Sequence, residues 1–279
     1  MNLVITCGYN QSLHTVALIN ELTKQNHKII GCLIVKTYQI SRFKTYLKKF
    51  GLKTVLEKYK NSVLGINSSL KKETKYIKTY IGKKNIASTN VKSICTDLNI
   101  DFQLVTNLNS IDTLKFLDQK QIDLIIYSGG GIIKNKLIEK SKFGVINAHS
   151  GELPYFRGMN VVEWSIISKK EPMVTVHMIN KGIDTGDILY TKLIDYNEND
   201  TIYDFRGKSV VEEIRLLLKV LKNFKNFYDN RIMQNRNIGK QFFVMHPILV
   251  KMLNSNLSSI MNNHFQIKKQ KCAKIRNDN

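Results

Sequence analysis

Cysteine is scarce and unpatterned in this sequence. Its 279 residues include four cysteines, Cys7, Cys32, Cys95 and Cys272, and no two of them form a Cys-x-x-Cys pair. This spacing argues against a structural zinc site and against a disulfide framework. We therefore expect no bound metal, and the cysteine usage favours a protein of the reducing cytoplasm.

Long hydrophobic runs are also missing. The longest candidates, IIGCLIV and DLIIYSGGGII, fall well short of the ~20 residues that a membrane-spanning helix needs. The apolar run in MNLVITCGYN has no basic residue before it and is about half as long as the core of a signal peptide. We interpret it as a first β-strand and predict a soluble, cytoplasmic protein.

Acidic residues are few, and their distribution is uneven. The chain has 43 Lys and Arg against 22 Asp and Glu, a net charge of +21. Residues 42–92 carry 14 basic against 2 acidic residues, and residues 231–279 carry 9 against 1, whereas residues 93–230 carry 17 against 18. A charge of this size suggests an anionic partner. The excess of basic residues, however, lies outside residues 93–230.

Short apolar runs alternate with helical periodicity, which is typical of an α/β fold. We predict a Rossmann-like domain over residues 1–230, with a mostly parallel sheet and flanking helices. Ser12 is predicted to cap a first helix, and Thr201 a long helix from 202 to 227. Residues 42–92 interrupt the alternation and predict a basic, amphipathic helical pair inserted into the domain. Residues 231–279 are predicted to form a basic extension.

Two motifs contain candidate catalytic residues. Asn147 and His149 are two residues apart near the end of the predicted strand FGVINAH, so their side chains share a face where open α/β sheets bind ligands. Asp184 lies between two glycines in MINKGIDTGDIL. Each could instead be structural, as a strand terminus or a turn residue. An aspartic protease needs two such carboxylates in a β-rich fold, which the single copy here does not provide.

A run of three glycines follows the predicted strand IDLIIYS. The spacing of Gly129, Gly130 and Gly131 does not match the dinucleotide-binding pattern, which argues against a nicotinamide dehydrogenase. Glycines at this position would allow a flat ligand to approach the backbone closely. His177 and Trp164 are predicted to support the site or pack in the core.

Together, NAHSGELPYFRGMNVVEWSI and VTVHMINKGIDTGDILY resemble the folate-dependent formyltransferases. That family includes enzymes that formylate methionyl-tRNA, glycinamide ribonucleotide and amino-sugars. The resemblance covers residues 93–227 well and residues 1–40 less closely. It implies that Asn147, His149 and Asp184 are catalytic and that 10-formyltetrahydrofolate is the formyl donor. An amine would attack the formyl carbon directly, with Asn147 and His149 donating hydrogen bonds to the formyl oxygen.

The resemblance also implies ligand contacts. It places the folate against Gly131, Ile132, Ile133, Asn180 and Ile183. It suggests, more weakly, that the acceptor substrate contacts Gly8, Asn10, Ser12 and Arg157.

The acceptor amine is the least constrained part of this prediction. We expect an amino-sugar linked to a nucleotide, because the 52 residues after Phe227 are too few for the β-barrel domain that follows the catalytic domain in the tRNA enzymes. Methionyl-tRNA, glycinamide ribonucleotide and a non-catalytic nucleic-acid-binding role are the alternatives. Residues 42–92 could contact tRNA, a sugar nucleotide or an anionic membrane, or could simply form a solvated lysine-rich surface. The oligomeric state is not predicted.

Overall fold

The computed structural model describes residues 1–36 and 68–266, with the side chains of 68–71 and 264–266 excepted. The chain divides into two compact units, Met1–Val145 and Ile146–Asn279, and each is considered by itself. Of the predicted basic insertion 42–92, residues 42–67, which contain the pattern that predicted the helical pair, lie outside the described residues.

The first unit is built on four parallel strands in the order β3-β2-β1-β4. The strands are β1 (Asn2–Cys7), β2 (Lys28–Val35), β3 (Phe102–Val105) and β4 (Leu124–Ser128). The helices are α1 (Leu13–Lys24), α2 (Ser68–Lys83), α3 (Val91–Asp97), α4 (Ile111–Asp118) and α5 (Asn135–Ile138).

Side-chain caps set where several of these helices begin. The Ser12 hydroxyl accepts a hydrogen bond from the Thr15 amide at 3.3 Å, which confirms the predicted start of α1. Helix α3 begins after Asn90, whose side chain accepts a hydrogen bond from the amide of Ser93 at 3.0 Å. Helix α2, within the predicted insertion, lies next to α1, where Lys84 forms an ion pair with Glu21 at 2.8 Å.

The second unit contains three antiparallel strands in the order β5-β7-β8 and a separate two-stranded parallel ladder of β6 and β9. The strands are β5 (Val145–His149), β6 (Phe156–Gly158), β7 (Met173–Met178), β8 (Ile188–Leu193) and β9 (Lys240–Phe242). The helices are α6 (Val161–Ile167), α7 (Ile202–Lys222), α8 (Phe224–Asp229) and α9 (Pro247–Ile260), followed by a π-helical turn, Met261–Gln266. Parallel pairings outnumber antiparallel ones, and the predicted α/β class is confirmed.

The predicted helix from 202 to 227 is wrong at its end. The predicted cap at Thr201 is confirmed, and Asp204 completes a reciprocal capping box with it. The helix stops at Lys222 because Asn223 adopts φ −134° and ψ 45°, outside the helical region. A second short helix, α8, follows it.

Two features of the second unit had no counterpart in the sequence-based prediction. Strands β6 and β9 are three residues each, too short for an alternation of apolar and polar residues to reveal them. Through them, part of the predicted extension 231–279 packs beside the LPYFRG motif. No helix among the described residues has both the length and the apolar character needed to cross a bilayer.

Candidate active site

Asn147 and His177 face each other on neighbouring strands. The antiparallel register of β5 and β7 pairs these two residues, and Asn147 Nδ2 lies 3.3 Å from His177 Nε2. His177 Nδ1 lies 2.8 Å from the Met178 carbonyl oxygen. Because a carbonyl can only accept, Nδ1 carries the proton and Nε2 accepts from the Asn147 amide.

His177 is neutral in the folded protein. Its side chain is 1% exposed, and burial lowers its pKa to about 4, although the nearby Asp184 carboxylate acts in the opposite direction. A neutral ring keeps Nε2 available as an acceptor. His177 therefore orients the Asn147 carboxamide, which agrees with the supporting role expected from the sequence.

His149 is fixed by a backbone carbonyl on one side. Its Nε2 lies 2.9 Å from the Phe156 oxygen, so Nε2 carries a hydrogen and donates it. The other ring nitrogen, Nδ1, lies 3.6 Å from Asp184 Oδ2. His149 is buried, and only Nδ1 remains to exchange a proton or a hydrogen bond with a ligand.

The Asp184 carboxylate lies between the two histidine rings. Oδ1 is 3.6 Å from His177 Nε2, and Oδ2 accepts a hydrogen bond from the Gly158 amide at 2.8 Å. The side chain is 16% exposed. Contacts of 3.6 Å are longer than hydrogen bonds, and catalytic contacts of this kind commonly tighten when substrates bind.

A tight turn aims the Asp184 side chain. Asp184 has a left-handed backbone with φ 52°, which costs free energy for a residue other than glycine. Asn180 braces the turn, since its amide donates to the Thr185 carbonyl at 3.0 Å and its oxygen accepts from the Thr185 hydroxyl at 2.6 Å. Gly186 is required because a Cβ there would lie 1.8 Å from the Met178 oxygen.

The structure thus brings Asn147, His149 and Asp184 together in the second unit, with His177 added to the group. An amide donor, an imidazole nitrogen and a carboxylate converge there, so the site can stabilise negative charge on an oxygen and move a proton. No group of three or more His, Cys, Asp or Glu side chains in the described ranges is arranged to hold a metal ion.

The triple glycine adopts a conformation that favours glycine at all three positions. Gly129, Gly130 and Gly131 have φ of 102°, 125° and 98°. After them, Ile132 is 75% exposed and Ile133 is buried. Asn109 braces this loop of the first unit. Its side chain donates to the Ile132 carbonyl at 2.8 Å and accepts from the Lys134 amide at 2.8 Å.

The two residues predicted to contact folate in the second unit differ in how available their side chains are to a ligand. The Asn180 side chain is engaged in bracing the Asp184 turn, whereas Ile183 is 46% exposed. Ile183 immediately precedes Asp184, so its exposed side chain is available to a ligand.

The residues predicted to contact the acceptor already have structural partners. Ser12 caps α1, and the Asn10 side chain accepts from the Lys92 amide at 2.9 Å. A Cβ at Gly8 would lie 3.3 Å from the Gly130 amide nitrogen, so two glycine turns meet there. Arg157 donates toward the carbonyls of Arg236 at 3.5 Å and Ile238 at 3.4 Å, and both of these residues lie in the predicted extension 231–279. Their acceptor contacts stay predictions.

Sequence reasoning missed two side chains near the motifs. Gln234 donates to the carbonyls of Asp184 and Gly186, and Glu213 accepts from the hydroxyl of Ser150, the residue after His149. Burial raises the pKa of Glu213 to about 7, against the lowering effect of that hydroxyl. Neither residue belongs to a recognisable motif, so their proximity to the site depends on tertiary structure alone.

Comparison with known proteins identifies relatives of this chain. Residues 6–221 match the family model described as formyl transferase. The methionyl-tRNA formyltransferase of Finegoldia magna is 24% identical over 186 residues, which cover 66% of this chain and 60% of that enzyme. The chain spans about half the length of the curated relatives that it matches.

Solved structures share the fold. An N-formyltransferase from Helicobacter canadensis, in complex with folinic acid and dTDP-3-aminofucose, has a TM-score of 0.51 and 17% identity, over 86% of this chain and 70% of that one. The phosphoribosylglycinamide formyltransferase of Bacillus halodurans has a TM-score of 0.53 and 18% identity, over 82% and 99%. These likenesses confirm the predicted Rossmann-like fold.

Proposed function

The chain belongs to the formyl transferase family, and from this premise we propose that it transfers a formyl group from 10-formyltetrahydrofolate to a primary amine. The observation that carries this proposal is the convergence of Asn147, His149 and Asp184 in one group. All three lie within the residues that match the family model.

Asn147 and His149 stabilise the charge that develops during the transfer. The acceptor nitrogen bonds to the formyl carbon, and negative charge grows on the formyl oxygen as the bond from that carbon to the donor nitrogen breaks. Asn147 gives one amide hydrogen to His177, and its second hydrogen, which no other described residue accepts, can bind the formyl oxygen. His149 gives Nε2–H to the Phe156 carbonyl, so a protonated Nδ1 is the atom that can donate.

Asp184 accepts the proton that the amine loses. The amine loses a proton as it becomes an amide, and the departing folate nitrogen gains one. Asp184 Oδ2, beside His149 Nδ1, accepts the first proton directly or through water, and the Asp184–His149 pair can supply the second. The overall reaction consumes no proton and needs no oxidant.

The proposed folate contacts are the backbone of Gly131, Ile132 and Ile133 and, in the second unit, Asn180 and Ile183. The left-handed glycines and the exposed Ile132 support the first group, because backbone amides and carbonyls there are not screened by side chains. The exposed Ile183 supports the second. Folinic acid, as bound by the Helicobacter canadensis enzyme, is the ligand with which to test these contacts.

For the acceptor, we propose the amine of an amino-sugar nucleotide. Residues 93–230 carry 17 basic and 18 acidic residues, which fits a small acceptor better than a large polyanion. The Helicobacter canadensis enzyme of similar fold was crystallised with dTDP-3-aminofucose.

Methionyl-tRNA is the second candidate acceptor. The curated sequence relatives are named methionyl-tRNA formyltransferases, and the lysines of α2 could contact the phosphate backbone of a tRNA. Lys72, Lys75 and Lys78 are exposed along this helix. Replacing all three with Gln should weaken tRNA binding and reduce its salt dependence if tRNA is the acceptor. Unchanged binding would remove α2 from that role.

An acceptor panel tests the proposed function. The protein is incubated with 10-formyltetrahydrofolate and each of dTDP- and UDP-amino-sugars, glycinamide ribonucleotide and methionyl-tRNA, and mass spectrometry measures a formyl gain on the acceptor. Formylation of an amino-sugar nucleotide is the expected result. Formylation of methionyl-tRNA alone would replace the proposed acceptor, and no transfer to any of them, with folinic acid still bound, would favour a non-catalytic relative.

A further inference from the structure

A segment beyond the family-model match packs against the Asp184 turn and strand β6 of the candidate active site. Residues 231–245, here called the strap, follow α8 and belong to the same compact unit as Asn147, His149 and Asp184. The family model ends at residue 221, so the match itself gives no role to the strap.

The first half of the strap runs alongside the turn that carries Asp184. Ile232 and Ile188 exchange two backbone hydrogen bonds, each of 2.8 Å, as an antiparallel bridge. Arg231 Nε donates to Asp187 Oδ2 at 3.0 Å. Two residues after Ile232, the Gln234 side chain contacts the backbone of residues 184–186.

Gln234 is buried with its amide group facing the turn. Its Nε2 donates to the Asp184 carbonyl at 3.1 Å and to the Gly186 carbonyl. The alternative amide orientation would set an oxygen against two carbonyl oxygens, so the donors must point to the turn. Within the described part of the chain, Gln234 Oε1 is buried without a hydrogen-bond partner, a free-energy cost that the two donated bonds must offset.

These two bonds act on a backbone that is under strain. Asp184 has φ 52°, and such a conformation persists only when its surroundings hold it. The carbonyls of Asp184 and Gly186 are both bound by one side chain, which fixes the turn from outside. The turn then fixes the Asp184 carboxylate at 3.6 Å from the His149 and His177 rings.

The second half of the strap fixes the other partner of Asp184. Strand β9 pairs with β6 in register, with Gly158 opposite Phe242, and the Phe242 carbonyl accepts from the Met159 amide at 3.0 Å. The Gly158 amide is the group that donates to Asp184 Oδ2. The strap therefore contacts both ends of this hydrogen bond.

We propose that Gln234 is a positioning residue of the formyl-transfer site, which holds the Asp184 turn by donating to the carbonyls of Asp184 and Gly186. This inference rests on the proposed function. The hydrogen bonds that Gln234 donates reach the backbone of the turn and not the Asp184 carboxylate. Gln234 acts through the position of the Asp184 carboxylate.

The test compares three substitutions with the wild type. Gln234→Met keeps the length and volume of the side chain but removes both donors, and Gln234→Glu cannot donate when ionised but regains one donor when protonated. Gln241→Ala, an exposed glutamine of the same strap, is the control. The measurements are kcat, KM for the acceptor, folinic acid affinity, and hydrogen–deuterium exchange of the peptide covering residues 180–188.

For Gln234→Met, kcat should fall by about 10- to 100-fold with little change in KM or folinic acid affinity. Exchange in residues 180–188 should be about fivefold faster, while Gln241→Ala should match the wild type in both respects. The kcat of Gln234→Glu, relative to the wild type, should rise as the pH is lowered.

The inference is overturned if Gln234→Met keeps the wild-type kcat and the wild-type exchange rate. If the wild type transfers no formyl group, the proposed function fails, but the exchange measurement still decides whether Gln234 holds the turn. If Gln234→Met does not fold, the pH profile of Gln234→Glu decides, and a flat ratio would count against the proposal.

Discussion

At the scale of single residues, one amide hydrogen of Asn147 is bound, and no group of the described residues accepts the other. His177 Nε2 receives the first, and we propose that the second binds the formyl oxygen. Asn147→Ala should therefore lower kcat by roughly 10²–10³ through loss of one oxyanion donor. The variant should still fold, and Asn256→Ala, which removes an exposed carboxamide on α9, should leave kcat unchanged. Steady-state kinetics with an active acceptor would measure both, and an unaffected rate in Asn147→Ala would exclude the oxyanion role.

Asp184→Asn separates charge from shape at the same site. Asparagine can still accept from the Gly158 amide, as Asp184 does at 2.8 Å, and it tolerates the left-handed backbone. It cannot take a proton as a carboxylate does. We expect kcat to fall by at least about 10² while folinic acid, measured by calorimetry, binds nearly as in the wild type. Loss of folinic acid binding would instead indicate that Asp184 shapes the loop.

At the scale of structural elements, the short β6–β9 ladder depends on a glycine. Gly158 has φ 99°, and a Cβ there would lie 2.1 Å from the Phe242 oxygen. Gly158→Ala should lower the free energy of unfolding by about 1–3 kcal/mol, because the backbone must shift or the ladder must open. Gly82→Ala in α2 is the matched control, since a Cβ added there would meet no atom of the described residues within 4 Å. It should raise stability by up to about 1 kcal/mol, and urea denaturation of both variants tests the contrast.

The same elements show what the sequence could predict and what it could not. Strands β1, β2 and β4 and the caps at Ser12 and Thr201 follow from local apolar runs and hydroxyl side chains. The proximity of Asn147, His149 and Asp184 follows from motifs that repeat a family pattern. Gln234 and strand β9 could not be predicted, because their partners lie 48–50 and 84 residues away in the sequence and no local periodicity encodes such contacts. The end of α7 at Asn223 was missed because one residue's backbone conformation interrupts an otherwise helical pattern.

At the scale of the whole molecule, buried and partly buried groups link stability to pH, and among the described residues His14, His177 and Glu213 have large pKa shifts in the range of pH 4 to 7. Burial lowers the pKa of both His14 and His177 to about 4, from an ordinary 6.5. Between these values the unfolded chain binds protons that the folded chain does not, so the stability from each histidine is complete above about pH 6.5 and is lost as the pH falls toward 4. For His177, with Asp184 and His149 facing it, this amounts to at most about 3 kcal/mol.

Glu213 acts in the opposite direction. Its pKa rises from 4.5 to about 7 on folding, so in that range the folded chain binds the extra proton and gains stability as the pH falls. Two histidines against one glutamate leave a net loss, and the free energy of unfolding should decrease from about pH 6.5 to about pH 4.5. Glu213→Gln removes the opposing contribution and should steepen that decrease. Urea denaturation across this range would measure both slopes, and a wild-type stability that rises on acidification would contradict the two low histidine pKa values.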